Sequence, residues 1–275
     1  WIWSIRSYTW SGGLALRQYF AVSGWTLDGS SARPTIVTYS WDTTASPPSS
    51  CGEFLNTSVS GITYLRGSFA FTYPPIGNPY LYAVGREDGA IEWWEIPAPC
   101  ADSWNGLESP TIYYSYGNAP IRSVAFSRDD TFIASGADGK VHVWDINGNL
   151  VWQKAFSGRL WQLAFSPTEH RLVIAYHSHL DYVGYLESYI WNGSTFDFQW
   201  SLSIALPEVR LAFSSDGARI LITQIGSWRV LDASDGSVIH NQLEHVGSTL
   251  IRLLSCAWSP DNAYLAVGRA DGKVR

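Results

Sequence analysis

The stretch "VAFSRDDTFIASGADGKVHVWDINGN" at residues 124–149 decides the fold. Short runs of aliphatic, aromatic and β-branched residues alternate in it with "SRDD", "ADG" and "NGN". Those breaks place Gly, Asn and Asp where a tight turn needs positive φ. Gaps this short join antiparallel neighbours and leave no room for a crossover helix. The spacing predicts four strands, at 121–126, 131–136, 140–145 and 150–156. No 11-residue stretch of the chain holds a sustained apolar stripe at helical period.

The same grammar recurs along the chain. A strand that ends in an aromatic, followed by Ser or Thr and a turn, appears as "SYTWSGG" (7–13), "SFAFTYPP" (68–75), "SVAFSRDD" (123–130), "QLAFSPTE" (162–169), "RLAFSSDG" (210–217) and "SCAWSPDN" (255–262). The marker aromatics are Trp10, Phe71, Phe126, Phe165, Phe213 and Trp258, separated by 61, 55, 39, 48 and 45 residues. A second marker keeps the same order: Trp41-Asp42, Trp94-Glu95, Trp144-Asp145, Trp191-Asn192 and Leu231-Asp232. Two marks in one register define repeats at approximately 1–60, 61–116, 117–157, 158–204, 205–245 and an incomplete 246–275. Four-stranded repeats of about 40–45 residues are the signature of propeller blades. The reading is therefore all-β, a β-propeller of four-stranded antiparallel blades in one domain, 1–275. Pro/Ser/Gly-rich or polar insertions at 43–52, 97–110 and 177–184 read as surface loops.

The quoted stretch resembles a WD repeat, and 62–96 and 253–275 resemble one less completely. The resemblance implies a ring of four-stranded blades around a central channel. It also implies a buried tetrad of His, Ser/Thr, Trp and the turn Asp. Ser135, Trp144 and Asp138 match three of these positions, as do the turn residues Asp88 and Asp271, but "GNAP" (117–120) stands where the His belongs and no repeat has a Gly-His. This is the pattern of a divergent member, whose blades are expected to rely on packing more than on that polar network. In the family one blade is commonly closed by both chain ends. "WIWSI" (1–5) is then expected to supply an outer strand to the clipped last unit, "AVGRADGKVR" (266–275). Six repeats are visible, and a seven-bladed parent also fits. With Trp1 in place of an initiator Met, the chain reads as a domain or fragment of a longer polypeptide.

Composition narrows the function classes. A net charge of -6 argues against bulk attraction to nucleic acid or to an anionic membrane, and no basic run offsets it. No apolar run reaches the 18 residues of a membrane-spanning helix. The three cysteines, Cys51, Cys100 and Cys256, form no CxxC pair, so a zinc ribbon is excluded. One bridge, Cys51–Cys100, is compatible with loop-like surroundings, whereas Cys256 in an apolar strand reads as a small buried hydrophobe. The sequons Asn56-Thr-Ser and Asn192-Gly-Ser suit a cell-surface domain. The resemblance favours an intracellular one, and the compartment stays open.

Little in the chain points to catalysis. There is no G-x-S-x-G, P-loop or G-x-G-x-x-G, and "DINGN" (145–149) lacks the Gly and Glu of a calcium loop. His177, His179 and Asp181 are crowded as metal ligands would be but lack a further ligand, so no metal and no cofactor is expected. The resemblance implies instead that loops before the first strand and between the second and third strands form a partner face. Residues mapping there are Arg86, Glu87, Arg159, Trp161, His177, His179 and Arg269, and Arg with Trp is the chemistry of interface hot spots. The expected function is a non-catalytic protein- or peptide-binding scaffold. A structural module of a cell-surface or multi-subunit assembly is the alternative, and a propeller enzyme domain is a third reading.

Overall fold

The computed structural model describes the backbone of residues 2–11, 16–28, 31–42, 49–55, 64–71, 80–96, 111–115, 119–204, 208–246 and 249–275, and most side chains from 81 to 93 and from 119 onward. Two compact units divide the chain, Trp1–Ile121 and Arg122–Arg275. The first holds two sheets: β1 (Ile2–Ser11), β2 (Leu16–Asp28), β3 (Ser31–Asp42) and β4 (Ser49–Leu55), then β5 (Tyr64–Phe71), β6 (Tyr80–Arg86), β7 (Ala90–Ile96) and β8 (Thr111–Ser115). Each is a simple antiparallel meander.

The second unit repeats the pattern. β9 (Ile121–Phe126) to β12 make one sheet, with β10 at Phe132–Ala137, β11 at Lys140–Asp145 and β12 at Leu150–Ala155. β13 (Gly158–Phe165), β14 (Arg171–Ser178), β15 (Gly184–Trp191) and β16 (Phe196–Ile204) make the next. β17 (Arg210–Phe213), β18 (Arg219–Gln224), β19 (Ser227–Asp232) and β20 (Val238–Leu243) make the third. After the short hairpin β21 (His245–Val246) and β22 (Thr249–Leu250), β23 (Leu253–Trp258) pairs with β24 (Leu265–Arg269), and Val274 bridges Gly268.

Five of the six marker aromatics close the first strand of a sheet and Trp10 stands one residue before the end of β1, while the second markers start on β3, β7, β11, β15 and β19, each the third. The strands expected at 121–126 and 140–145 coincide with β9 and β11, while β10 is displaced by one residue and β12 ends one residue earlier. The side chains of Trp10, Trp41, Phe71 and Trp94, residue Cys100 with the bridge expected to Cys51, most of the insertions at 43–52 and 97–110, and Asn56 lie outside the described residues. "WIWSI" does not serve the last sheet. Its residues Ile2–Ile5 open β1, which pairs with β2 from Ile2↔Gly24 to Ser11↔Leu16.

Burial explains why the middle strands read as continuous apolar runs. All of β10 and nearly all of β14 and β18 are buried, whereas the outer β20 is almost wholly exposed. Side chains alternate faces along a strand, so one strand serves two cores. Leu172, Ile174 and Tyr176 of β14 pack with Phe132, Val141 and Val143 of the preceding sheet and with Leu163 of their own. Val173 and Ala175 of the same strand pack with Val209, Leu211, Ile220 and Ile222. Gly136 allows a close approach between sheets, because a Cβ there would overlap the Leu160 side chain.

Each aromatic marker in this unit is followed by a hydroxyl that ties off the turn. Ser127, Ser214 and Ser259 each donate Oγ to a carboxylate two residues on (Asp129, Asp216, Asp261) and accept the N–H five residues on, at 2.9, 2.9 and 2.8 Å. Burial raises the pKa of Asp129, but bonds from Thr131, His170 and Ser127 outweigh it and hold the carboxyl at about 2. A depressed carboxyl adds stability that is present above its unfolded pKa and is lost as pH falls through the folded value. With the Asp129 side chain 44% exposed, screening reduces this to about 1 kcal/mol. Asp129→Asn is expected to lower Tm at pH 7 by a few degrees, with the gap from the native chain closing between about pH 4 and pH 2. Thermal melts across that range check it. Ile174→Ala, at a fully buried position, is expected to cost about 2–5 kcal/mol in urea unfolding.

Candidate partner-binding face

At one end of the second unit's sheets, the links entering a first strand meet the turns between second and third strands. Gly158 opens β13 opposite Ser178, and a Cβ on it would overlap the His177 carbonyl. Only glycine lets the two backbones approach this closely. The result sets Arg159 directly across from His177. The register then slips between Leu160 and Gln162, making Trp161 the extra residue of a β-bulge. The Trp161 ring lies over Gly184, where a Cβ would come within 2.8 Å of it, and its centroid is 5.9 Å from that of His177.

The turn after β14 is pinned from both sides. The His179 N–H donates to the Ser157 carbonyl at 2.8 Å, and the Ser178 N–H to the Val183 carbonyl at 2.9 Å. The Asp181 carboxylate accepts the Val183 N–H at 3.2 Å and the Tyr185 hydroxyl. Those bonds, the Tyr185 hydroxyl first, draw the Asp181 carboxyl below its ordinary range. Tyr182 sits in the left-handed region at φ 60, and this fixed geometry holds Leu180 and Tyr182 out in solvent, 81% and 79% exposed. The rings of His177 and His179 are 5.9 Å apart. Among the described residues no group of three His, Cys, Asp or Glu is placed to hold a metal.

Arg159, Trp161, His177 and His179 are thus brought together as one patch. Arg86, in the first unit, and Arg269 are each committed to carboxylates of their own sheet. Arg86 is 5% exposed and bonds Glu92 at 2.5 Å as well as Asp88. Burial works against its charge, but these two carboxylates raise its pKa, and it lowers that of Asp88. Glu87, in the same turn, is exposed. Arg269 bonds Asp271 at 2.8 Å and the buried Glu244 at 3.4 Å, and Arg275 reaches the same Glu244 at 2.7 Å. Both arginines hold their own turns.

The tetrad is likewise rebuilt. Trp144 Nε1 donates to Ser135 Oγ at 3.3 Å. With no Gly-His, the guanidinium of Arg122 grips Asp138 through two bonds, at 2.5 and 2.6 Å, and Asp138 also accepts the Leu160 N–H at 3.1 Å. The turns therefore carry an ionic network where more reliance on packing was expected. Cys256 is half-buried, with its sulfur 3.8 Å from the Leu221 carbonyl.

Arg210 and Arg252, at the same end, escaped the sequence reading. The signal was an arginine three to six residues ahead of a marker aromatic, at Arg122, Arg159, Arg210 and Arg252. It is blurred because bulges in β13 and β23 shift the count by one.

Comparison with known proteins agrees with this geometry. The family model "WD domain, G-beta repeat" matches residues 110–145 and 236–275. Mouse Echinoderm microtubule-associated protein-like 2 is 27% identical over 196 residues, 70% of this chain, and the human protein is 27% identical over 200 residues. The chain spans about a quarter of the length of these relatives, 27% in each. Chaetomium thermophilum Sqt1, solved bound to the N-terminus of the ribosomal protein L10, superimposes with TM-score 0.60 at 19% identity, covering 94% of this chain and 80% of that one. Chaetomium thermophilum Raptor gives TM-score 0.64 at 12% identity, over 97% of this chain and 22% of that one. The sheets are the blades of a β-propeller fold, and the stretches 110–145 and 236–275 within them match the WD-repeat model. Among the described residues no helix is long and apolar enough to cross a membrane.

Removing one partner of a buried ion pair strands the other charge, at a cost of about 3–5 kcal/mol. Arg86→Ala is therefore expected to destabilise the chain by about that much in denaturant unfolding. Arg86→Met/Glu92→Met is expected to recover most of the loss.

Proposed function

We propose that the chain is a non-catalytic scaffold that binds a protein or peptide on the face carrying Arg159, Trp161, His177 and His179. The observation that carries this is the pinned turn 178–183. Backbone bonds hold Leu180 and Tyr182 in solvent, with the Tyr182 ring 6.4 Å from that of His177, whose own neighbours are Trp161 and, across the ladder, Arg159. An ordered apolar projection is costly to leave in water and loses little further entropy when it is covered. That Sqt1, a structural neighbour, holds the N-terminus of another protein supports the reading by analogy of fold.

A second reading, a structural module, draws on the outer strand β20, where Val238, Ile239 and Leu243 are exposed. Self-association at micromolar concentration in sedimentation velocity is what that reading requires.

Affinity capture with mass spectrometry tests the first reading, using the native chain, Leu180→Ser/Tyr182→Ser, and Phe198→Ser as a control at an exposed site on β16. A partner held by the native chain and the control is expected to be lost, by about tenfold or more, with the double variant. Equal retention by all three would refute this face.

A further inference from the structure

Three arginines converge at the end of the sheets described above, one from the first-strand region of each of three successive blades. Arg159 lies in β13, Arg210 opens β17, and Arg252 directly precedes β23. The strands are locked side by side. Gln162 donates Nε2 to the Leu211 carbonyl at 3.1 Å and accepts the Leu211 N–H at 3.0 Å, which fixes Arg210 next to β13. Trp258 Nε1 donates to the Ala212 carbonyl at 3.1 Å, holding β23 against β17. Arg252 reaches back to Glu208, two residues before Arg210.

The charges around this cluster do not balance. Arg86, Arg122, Arg171, Arg269 and Arg275 each have a carboxylate at ion-pair distance. Among the described residues Arg159 and Arg210 have none, and Glu208 is shared between Arg252 and the field at Arg210. Desolvation pulls the Arg210 guanidinium below its ordinary value. Glu208 opposes this, while Arg252 and Arg159 add to it. All three side chains still reach solvent. In a chain of net charge -6, gathering like charges at one locked spot favours an anion supplied from outside.

We propose that Arg159, Arg210 and Arg252 form the recognition site for an acidic peptide segment, with carboxylates taken by the guanidinium forks and a neighbouring apolar side chain by Leu180 and Tyr182. This rests on the scaffold reading and names its partner's chemistry. Carboxylate suits the planar fork of arginine, which binds it through two parallel bonds. The apolar and aromatic flank, with Trp161 and His177, suits a peptide that alternates acidic and apolar residues. A nucleic-acid backbone would call for a wider basic surface than three arginines beside one glutamate.

The test is fluorescence anisotropy at low salt with a labelled 12-residue peptide of alternating Asp/Glu and Leu/Tyr. It is run beside the Asn/Gln version of that peptide and an oligothymidine of the same length. The acidic peptide is expected to bind and to weaken as salt rises. Arg159→Ala/Arg210→Ala is expected to weaken it about tenfold or more, the Lys versions less, and Arg219→Ala, at the other end of β18, not at all. Equal melting temperatures of the variants exclude unfolding as the cause. Equal binding of the Asn/Gln peptide, indifference to the arginine variants, or tighter binding of the oligonucleotide through the same arginines would overturn the proposal. No acidic binding while Leu180→Ser/Tyr182→Ser still loses a captured partner would overturn this chemistry and leave the scaffold standing.

Discussion

One constraint organises three of the second unit's turns between first and second strands: the hydroxyl that follows the marker aromatic. Ser127, Ser214 and Ser259 bond the carboxylate two residues on and the N–H five residues on, so the first and second strands can leave the turn in only one register. A slip of one residue would move every side chain of β10 or β18 from the core on one face to the core on the other. In the sheet between them, the alternating residues of β14 fall into the two cores on either side. Polar links between neighbouring sheets at this end reinforce the arrangement, as with Arg128 on the Thr168 carbonyl and Ser215 on Asn262.

The opposite end is where the blades differ. Its links range from residues 156–157 to the longer 244–252 with its own hairpin, and its turns from the tight 138–139 to the projecting 179–183. Some of these turns are neutralised internally, by Arg122 on Asp138 and Arg269 on Asp271 and Glu244, as the first unit's turn is by Arg86 on Asp88 and Glu92. Others leave charge and apolar surface unanswered. That contrast separates residues that hold the fold from residues open to a partner. A buried guanidinium with two carboxylates is spent on stability, whereas an exposed one without a carboxylate is available.

The fold was legible because it is written in periodic signals. Aromatic markers, turn residues and the Trp-acid pairs recur, and each maps to one strand end. The site was only half legible. Arg86 and Arg269 share the motif position of a loop residue, but sequence cannot show that Glu92 and Glu244 come within reach of them, since that depends on side-chain packing across strands. Gly158 and Gly184 offered no visible reason until their neighbours, His177 and Trp161, were placed. Arg252, like Arg159, is displaced from its marker aromatic by a bulge, which hides the spacing that Arg210 shares with them.

Hydrogen exchange read by mass spectrometry, with and without the acidic peptide at saturation, tests most directly the claim that the two ends have divided labour. Added protection is expected in 157–162, 177–184 and 208–211, with none in the clamped turns 127–131, 214–218 and 259–263. Protection confined to those clamped turns, with the arginine end unchanged, would contradict the account.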